Sequence, residues 1–285
     1  MDTATPTVPQ DAPVRCVSRG AVFQIELNHP EARNPLGPEM IDALDAALTQ
    51  AIEMPAARVV LITAAGEAFS AGGNLGNMAE RLNAPPGANG KDPIAQGNRR
   101  YGDFLRRLCS APKVVVASVR GAAMGGGAGL VCAADIAIGA QGAKFGFPEA
   151  AIGLVPGQIL PFVAARIGAQ AARRLMLTGE RIDAAEAHRI GLLDYHVADP
   201  EQLAARTDEL LARIVACAPG ASAATKQMLH TVLGAKRWWS DELPGYLDEA
   251  ADTFARQMRS EAIEGVAAAR GKRAPNWQQV IAARD

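Results

Sequence analysis

Residues 113–138 read KVVVASVRGAAMGGGAGLVCAADIAI, and this stretch decides the fold. Residues 113–119 are a short apolar run rich in valine, which predicts a buried strand. Residues 121–127 form a glycine loop, residues 127–134 a short uncharged helix, and residues 136–138 another strand. Buried strands alternating with helices define an α/β domain.

The same order occurs once upstream. Residues 58–63 (RVVLIT) predict a strand, residues 64–76 a glycine-bearing loop, and residues 96–109 a helix. Between them, residues 82–98 carry Pro85, Pro86, Gly87, Gly90, Pro93 and Gly97 and read as a mobile excursion. Further upstream, residues 14–18 and 21–27 predict two strands joined at Arg19-Gly20. Residues 28–37 are turn-rich. Pro38 then opens a helix through Met54, with Ile41, Leu44, Leu48 and Ile52 at helical spacing. From about residue 200 the chain turns helical, with helices expected over 203–217, 222–233 and 247–269. The expected organisation is a loose tail over 1–13, a catalytic core over 14–200 and a helical region over 201–285.

Composition narrows the function classes. The chain has 285 residues, 49% of them hydrophobic, enough for a sizeable core. A net charge of −1 gives no electrostatic footprint for nucleic acid or an anionic membrane. No uncharged stretch is long enough to span a bilayer. Cys16, Cys109, Cys132 and Cys217 lie far apart without CxxC pairs, so reduced thiols are expected rather than a disulfide framework or zinc site. The opening MDTATPTVPQDAP lacks the basic and apolar regions of a signal peptide, which makes the cytoplasm the expected address. His29, His188, His196 and His230 have no metal-ligand spacing, and no metal is expected.

The glycine loops do not read GxGxxG, contain no P-loop lysine, and no GxSxG elbow exists. What they offer is backbone N–H groups. Ser70-Ala71-Gly72-Gly73 presents amides without bulky side chains, and Met124-Gly125-Gly126-Gly127 leads into a helix N-terminus. Facing each other, the two loops would hold a developing oxyanion; taken singly, each glycine run also suits a tight turn. Glu149 stands amid apolar residues in KFGFPEAAIGLVP, where desolvation raises a carboxyl pKa toward neutral-pH acid/base work. A solvent-facing loop carboxylate is the plainer alternative. Asp135 suits a structural cap, Trp238-Trp239 ordinary packing, and Arg99, Arg100, Arg106 and Arg107 a solvated helix face.

Together these segments resemble the enoyl-CoA hydratase/isomerase (crotonase) superfamily from about Val14 to Trp277. His29-Pro30-Glu31-Ala32-Arg33-Asn34-Pro35-Leu36 resembles its NxPxxxNxL segment and Ala68-Phe69-Ser70-Ala71-Gly72-Gly73-Asn74-Leu75 its FxAGxDL segment. Residues 121–138 resemble GGGxxLxxxxDxxIA, residues 145–149 FGxPE, and residues 177–192 the later LTGxxxxAxEAxxxGL pattern. The resemblance implies an α/β crotonase-like spiral of ββα units with a helical C-terminal trimerisation region, assembling as a homotrimer or a dimer of trimers. It implies an acyl-CoA substrate and no separate cofactor. By position, the N–H groups of Gly73 and Gly126 would form the oxyanion hole and Glu149 the acid/base. Ala32, Arg33, Ala71, Asn74 and Leu75 would lie along CoA. Lys272 and Arg273 suit either CoA phosphates or a solvated tail.

The sequence departs from the two-glutamate hydratase pattern. After Gly125-Gly126-Gly127 come Ala128 and Gly129, so the first glutamate is missing and Glu149 stands alone. Asn74 replaces the usual aspartate. Residues 129–135 and 153–163 are similar to bacterial methylglutaconyl- and isohexenylglutaconyl-CoA hydratases. The resemblance therefore implies a hydratase of a branched or unusual enoyl-CoA. The alternatives are a 3-enoyl-CoA to 2-enoyl-CoA isomerase with the same glutamate and a non-catalytic CoA- or RNA-binding protein.

Overall fold

The computed structural model describes residues 12–74, 76, 82–83, 85, 90, 92–232 and 243–273. A hairpin of β1 (Val14–Arg19) and β2 (Val22–Leu27) is followed by β3 (Pro35–Leu36) and α1 (Pro38–Glu53). Next come β4 (Val59–Ala64), β5 (Ala68–Ser70), β6 (Gly72–Gly73) and α2 (Pro93–Ser110). The unit repeats as β7 (Val114–Val119), β8 (Ala122–Met124) and α3 (Gly126–Ala133). It repeats again as β9 (Ile136–Ala140), β10 (Lys144–Gly146) and α4 (Leu160–Thr178). Then follow β11 (Arg181–Asp183), α5 (Ala184–Arg189) and β12 (Tyr195–Val197). The C-terminal helices are α6 (Pro200–Ala216), α7 (Pro219–Val232), α8 (Leu243–Met258) and α9 (Glu261–Arg270).

Two sheets organise the chain. The first has the order β1-β2-β4-β7-β9-β12. Its β1/β2 pair is antiparallel and the remaining pairs are parallel. The second has the order β11-β10-β8-β5, and β3 pairs with β6 separately. Each ββα unit therefore places one long strand in the first sheet and one short strand in the second before its helix. Val59, Val60, Val115 and Val116 are fully buried, as befits valine-rich strands covered on both faces. Helix α1 buries Met40, Ile41, Leu44, Ala47, Leu48 and Ala51, and of the stripe that helical spacing predicts only Ile52 is partly rather than fully buried.

The differences from the sequence expectations are informative. Residues 64–76 and 121–127, expected as loops, contain β5, β6 and β8, strands of two or three residues that form only because a distant partner pairs with them. Helix α2 starts at Pro93, inside the expected excursion, because Asp92 Oδ1 accepts from the Ile94 N–H at 2.7 Å and caps it. The single helix expected over 247–269 is two, α8 and α9, which break between Met258 and Glu261.

The arginines of α2 are ion-paired rather than simply solvated. Arg99, with its side chain 15% exposed, pairs with Asp103 and with Asp248 of α8. Arg100 and Arg107 pair with Asp42 and Asp45 of α1. The C-terminal helices also pack on the core. Leu210 and Leu211 of α6 cluster with Val59, Leu61 and Val116 of the first sheet. Ala251, Ala255 and Met258 of α8 cluster with Ile94 and Ala95 of α2. Asp135 serves structure: its Oδ2 accepts from the Val115 N–H and from Lys226 Nζ, both at 2.7 Å.

Candidate active site

The two glycine loops meet backbone to backbone. Asn34 is fully buried, and its Nδ2 donates to the carbonyls of Ala65 (2.9 Å) and Ala68 (3.0 Å). Its Oδ1 accepts from the His29 N–H at 2.7 Å. Ser70 Oγ donates to the Asn34 carbonyl at 2.7 Å and accepts from the Gly72 N–H at 3.1 Å. This network holds β3 beside β6, with Leu36 opposite Gly73. Gly72 lies at φ +88, and a Cβ there would stand 2.6 Å from the Met124 carbonyl oxygen and 3.4 Å from the Gly126 nitrogen. Only glycine permits that approach. Gly126 opens α3, and its carbonyl accepts from the Tyr101 hydroxyl at 2.6 Å. The N–H groups of a helix's first turn lack internal partners and carry partial positive charge.

Glu149 follows β10, anchored by the fully buried Phe145 and Phe147. Its carbonyl accepts from the Ile152 (3.1 Å) and Leu154 (2.9 Å) N–H groups, which fixes the turn that carries the side chain. The carboxyl reaches the glycine loop: a Cβ on Gly125 would lie 2.7 Å from Glu149 Oε1. The residue is half-buried, whereas Oε2 is fully buried and has no hydrogen-bond partner. Burial pushes the carboxyl pKa from 4.5 up to about 7, although the residue's own backbone N–H draws it partly back. Burial likewise pushes the Tyr101 phenol well above 10, with the nearby Cys132 and Glu149 adding to the rise.

Gly73, Gly126 and Glu149 line one cavity of about 170 Å³. Ala71 and Asn74 line it too, and Asn74 Oδ1 accepts from the Gly76 N–H at 2.9 Å. Ala32 and Arg33 are exposed and lie outside its lining, but the Arg33 carbonyl accepts from the Ala71 N–H at 2.8 Å, which ties the early loop to the cavity rim. Leu75 and Trp238-Trp239 lie outside the described residues, as do residues 1–11 of the expected tail. Arg273 is paired with Glu264. Among the described residues no cluster of His, Cys, Asp or Glu could hold a metal ion, and no helix is long and apolar enough to cross a membrane.

Ile159 takes up the space beside Gly129, where the resemblance to two-glutamate hydratases would place a carboxylate. A Cβ on Gly129 would stand 2.3 Å from Ile159 Cγ2, and Ile159 itself lines the cavity. Sequence reasoning missed Ile159, Tyr101, Asn98 and Gln158 as cavity residues. The helical spacing of Asn98 and Tyr101 puts them on one face of α2, but nothing local shows that this face meets the glycine loops.

Two glycine loops that share one cavity with a desolvated carboxylate make a class of site suited to stabilising an enolate and moving a proton next to it. Residues 18–280 match the enoyl-CoA hydratase/isomerase family, and the chain belongs to it. It is 35% identical to a putative enoyl-CoA hydratase of Thermus thermophilus over 76% of this chain and 84% of that protein. It is 36% identical to 1,2-epoxyphenylacetyl-CoA isomerase of Escherichia coli over 70% of this chain and 74% of that protein. The solved structure of an enoyl-CoA hydratase/isomerase from Marinobacter aquaeolei is 38% identical and superposes with a TM-score of 0.75, covering 93% of this chain and 98% of that one. The fold is that of the crotonases, and the protein is an acyl-CoA hydratase or isomerase.

Proposed function

We propose that the protein adds water across the C2=C3 double bond of an acyl-CoA thioester whose acyl chain is branched or otherwise unusual. The thioester oxygen accepts from the N–H groups of Gly73 and Gly126. Glu149, ionised, takes a proton from water as the water oxygen bonds to C3. The C2=C3 electron pair moves into the thioester as an enolate, whose oxygen the two amides hold more strongly than they hold the neutral thioester. Protonated Glu149 then returns the proton to C2, and the product is a 3-hydroxyacyl-CoA. One such donor is worth about 3 kcal/mol of barrier. Ala71, Asn74 and Leu75, with Ala32 and Arg33, contact CoA largely through the main chain, and no separate cofactor takes part. The chain acts in the cytoplasm as a homotrimer or a dimer of trimers, without nucleic-acid or membrane partners.

The observation that carries this reading is the buried, unpaired Oε2 of Glu149 on the cavity that Gly73 and Gly126 share. A second reading draws on the Ile159 side chain that fills the place of a second carboxylate. In it, Glu149 removes a proton from C4 of a 3-enoyl-CoA and returns it to C2, a route that needs no water. Purified protein given panels of 2-enoyl- and 3-enoyl-CoA thioesters, including 3-methylglutaconyl-CoA, separates the two. Water addition to at least one 2-enoyl-CoA is expected. Efficient conversion of 3-enoyl to 2-enoyl thioesters with no hydration of any would overturn the hydratase reading.

A further inference from the structure

Two carboxamides line the cavity together with Glu149, and neither oxygen has a partner. Gln158 is only 2% exposed, and its Nε2 donates to the Leu247 carbonyl of α8 at 2.7 Å. That bond fixes the other end of the amide, Oε1, as an acceptor, and Oε1 is buried and unpaired. Its place is built into α2: a Cβ on Gly102 would come within 1.9 Å of Oε1, so only glycine leaves room for the carboxamide. Asn98 stands one turn earlier on the same face of α2, and its Oδ1 is buried and unpaired as well. The wall around them is otherwise apolar, with Ile152, Leu154 and Phe254.

Buried carbonyl oxygens without a hydrogen-bond donor are uncommon. A hydrocarbon acyl chain brings no hydrogen-bond donor to either oxygen. An ionised carboxylate only accepts, as does Gln158 Oε1, whose role the bond to Leu247 fixes. A hydroxyl supplies the missing donor. We infer that Asn98 and Gln158 select an acyl chain bearing a hydroxyl group, whose O–H donates to one of these two oxygens. The inference rests on the reading of the cavity as an acyl-CoA site and names the chemistry of the acyl group it takes.

Binding of saturated acyl-CoA thioesters, measured by titration calorimetry, tests this without requiring turnover. The probes are a hydrocarbon chain, the same chain with a hydroxyl moved from C4 to its end, and the same chain ending in a carboxylate. At least one hydroxylated probe is expected to bind the wild type about fivefold or more tighter than the hydrocarbon. Asn98→Leu or Gln158→Leu is expected to abolish that advantage. Asn98→Leu, which leaves the Gln158–Leu247 bond intact, keeps the test open if the second variant does not fold. Equal binding of all probes, tightest binding of the carboxylate, or retention of the hydroxyl advantage in both variants would overturn the inference. If no thioester binds at all, the acyl-CoA reading itself fails, a different result from binding without preference.

Discussion

Glu149 is the residue whose chemistry the surroundings change most. A carboxyl with a pKa near 7 is a poised acid/base at neutral pH. In the proposed hydration the ionised form begins the cycle, so kcat/KM is expected to fall as pH drops through about 7, read from a pH–rate profile of the free enzyme. Stability runs the other way. The folded-state value lies above the ordinary 4.5, so folding favours the neutral acid. That contribution is complete below about 4.5 and is lost as pH rises through about 7. At pH 8 Glu149→Gln is therefore expected to be more stable than wild type in urea unfolding, on the order of 1–3 kcal/mol given that the residue is only half-buried. At pH 4 the gain is expected to vanish.

Gly129 makes a second residue-scale case. Restoring a glutamate there meets Ile159, so Gly129→Glu is expected to lower stability by about 1–3 kcal/mol. Gly129→Glu with Ile159→Ala is expected to recover part of that loss in the same unfolding assay, because the two side chains compete for one volume.

At the scale of elements, the site depends on strands too short to form alone. β3 and β6 have two residues each, and their pairing is held by Asn34 and Ser70. Asn34→Ala removes the partner of the Ala65 and Ala68 carbonyls and of the His29 N–H, three part-buried bonds that its buried amide makes. A loss of about 2–4 kcal/mol in thermal or urea unfolding is expected, with kcat falling alongside because Gly73 is displaced. These elements also show what the sequence makes legible. The valine-rich strands, the glycine loops and the apolar stripe of α1 declare themselves because their patterns are local. β5, β6 and β8 do not, since three residues acquire strand geometry only from a partner far along the chain. Helix α4 is hidden for another reason: Gly168, at φ +74, interrupts it and breaks its periodicity. Glu149 and the two glycines could be picked out from motif order, whereas Gln158 and Ile159 could not, because the first depends on where α2 and α8 come to rest and the second on where α3 does.

For the whole molecule, the C-terminal helices both cover the core and leave apolar residues outside it. Met228 and Leu229 on α7 are 66% and 49% exposed, which supports the proposed trimer, for which such side chains would supply buried contact. Sedimentation is expected to give three or six chain masses, and Met228→Glu with Leu229→Glu to shift the distribution toward smaller species. A wild type that sediments as a monomer would contradict the proposed assembly.

The most direct test of Glu149 as the acid/base is Glu149→Gln, with turnover and acyl-CoA binding measured on the same preparation. Hydration is expected to fall by about 10²- to 10⁴-fold while the affinity for a saturated acyl-CoA stays within a few-fold of wild type. Turnover undiminished by the substitution would contradict the assignment.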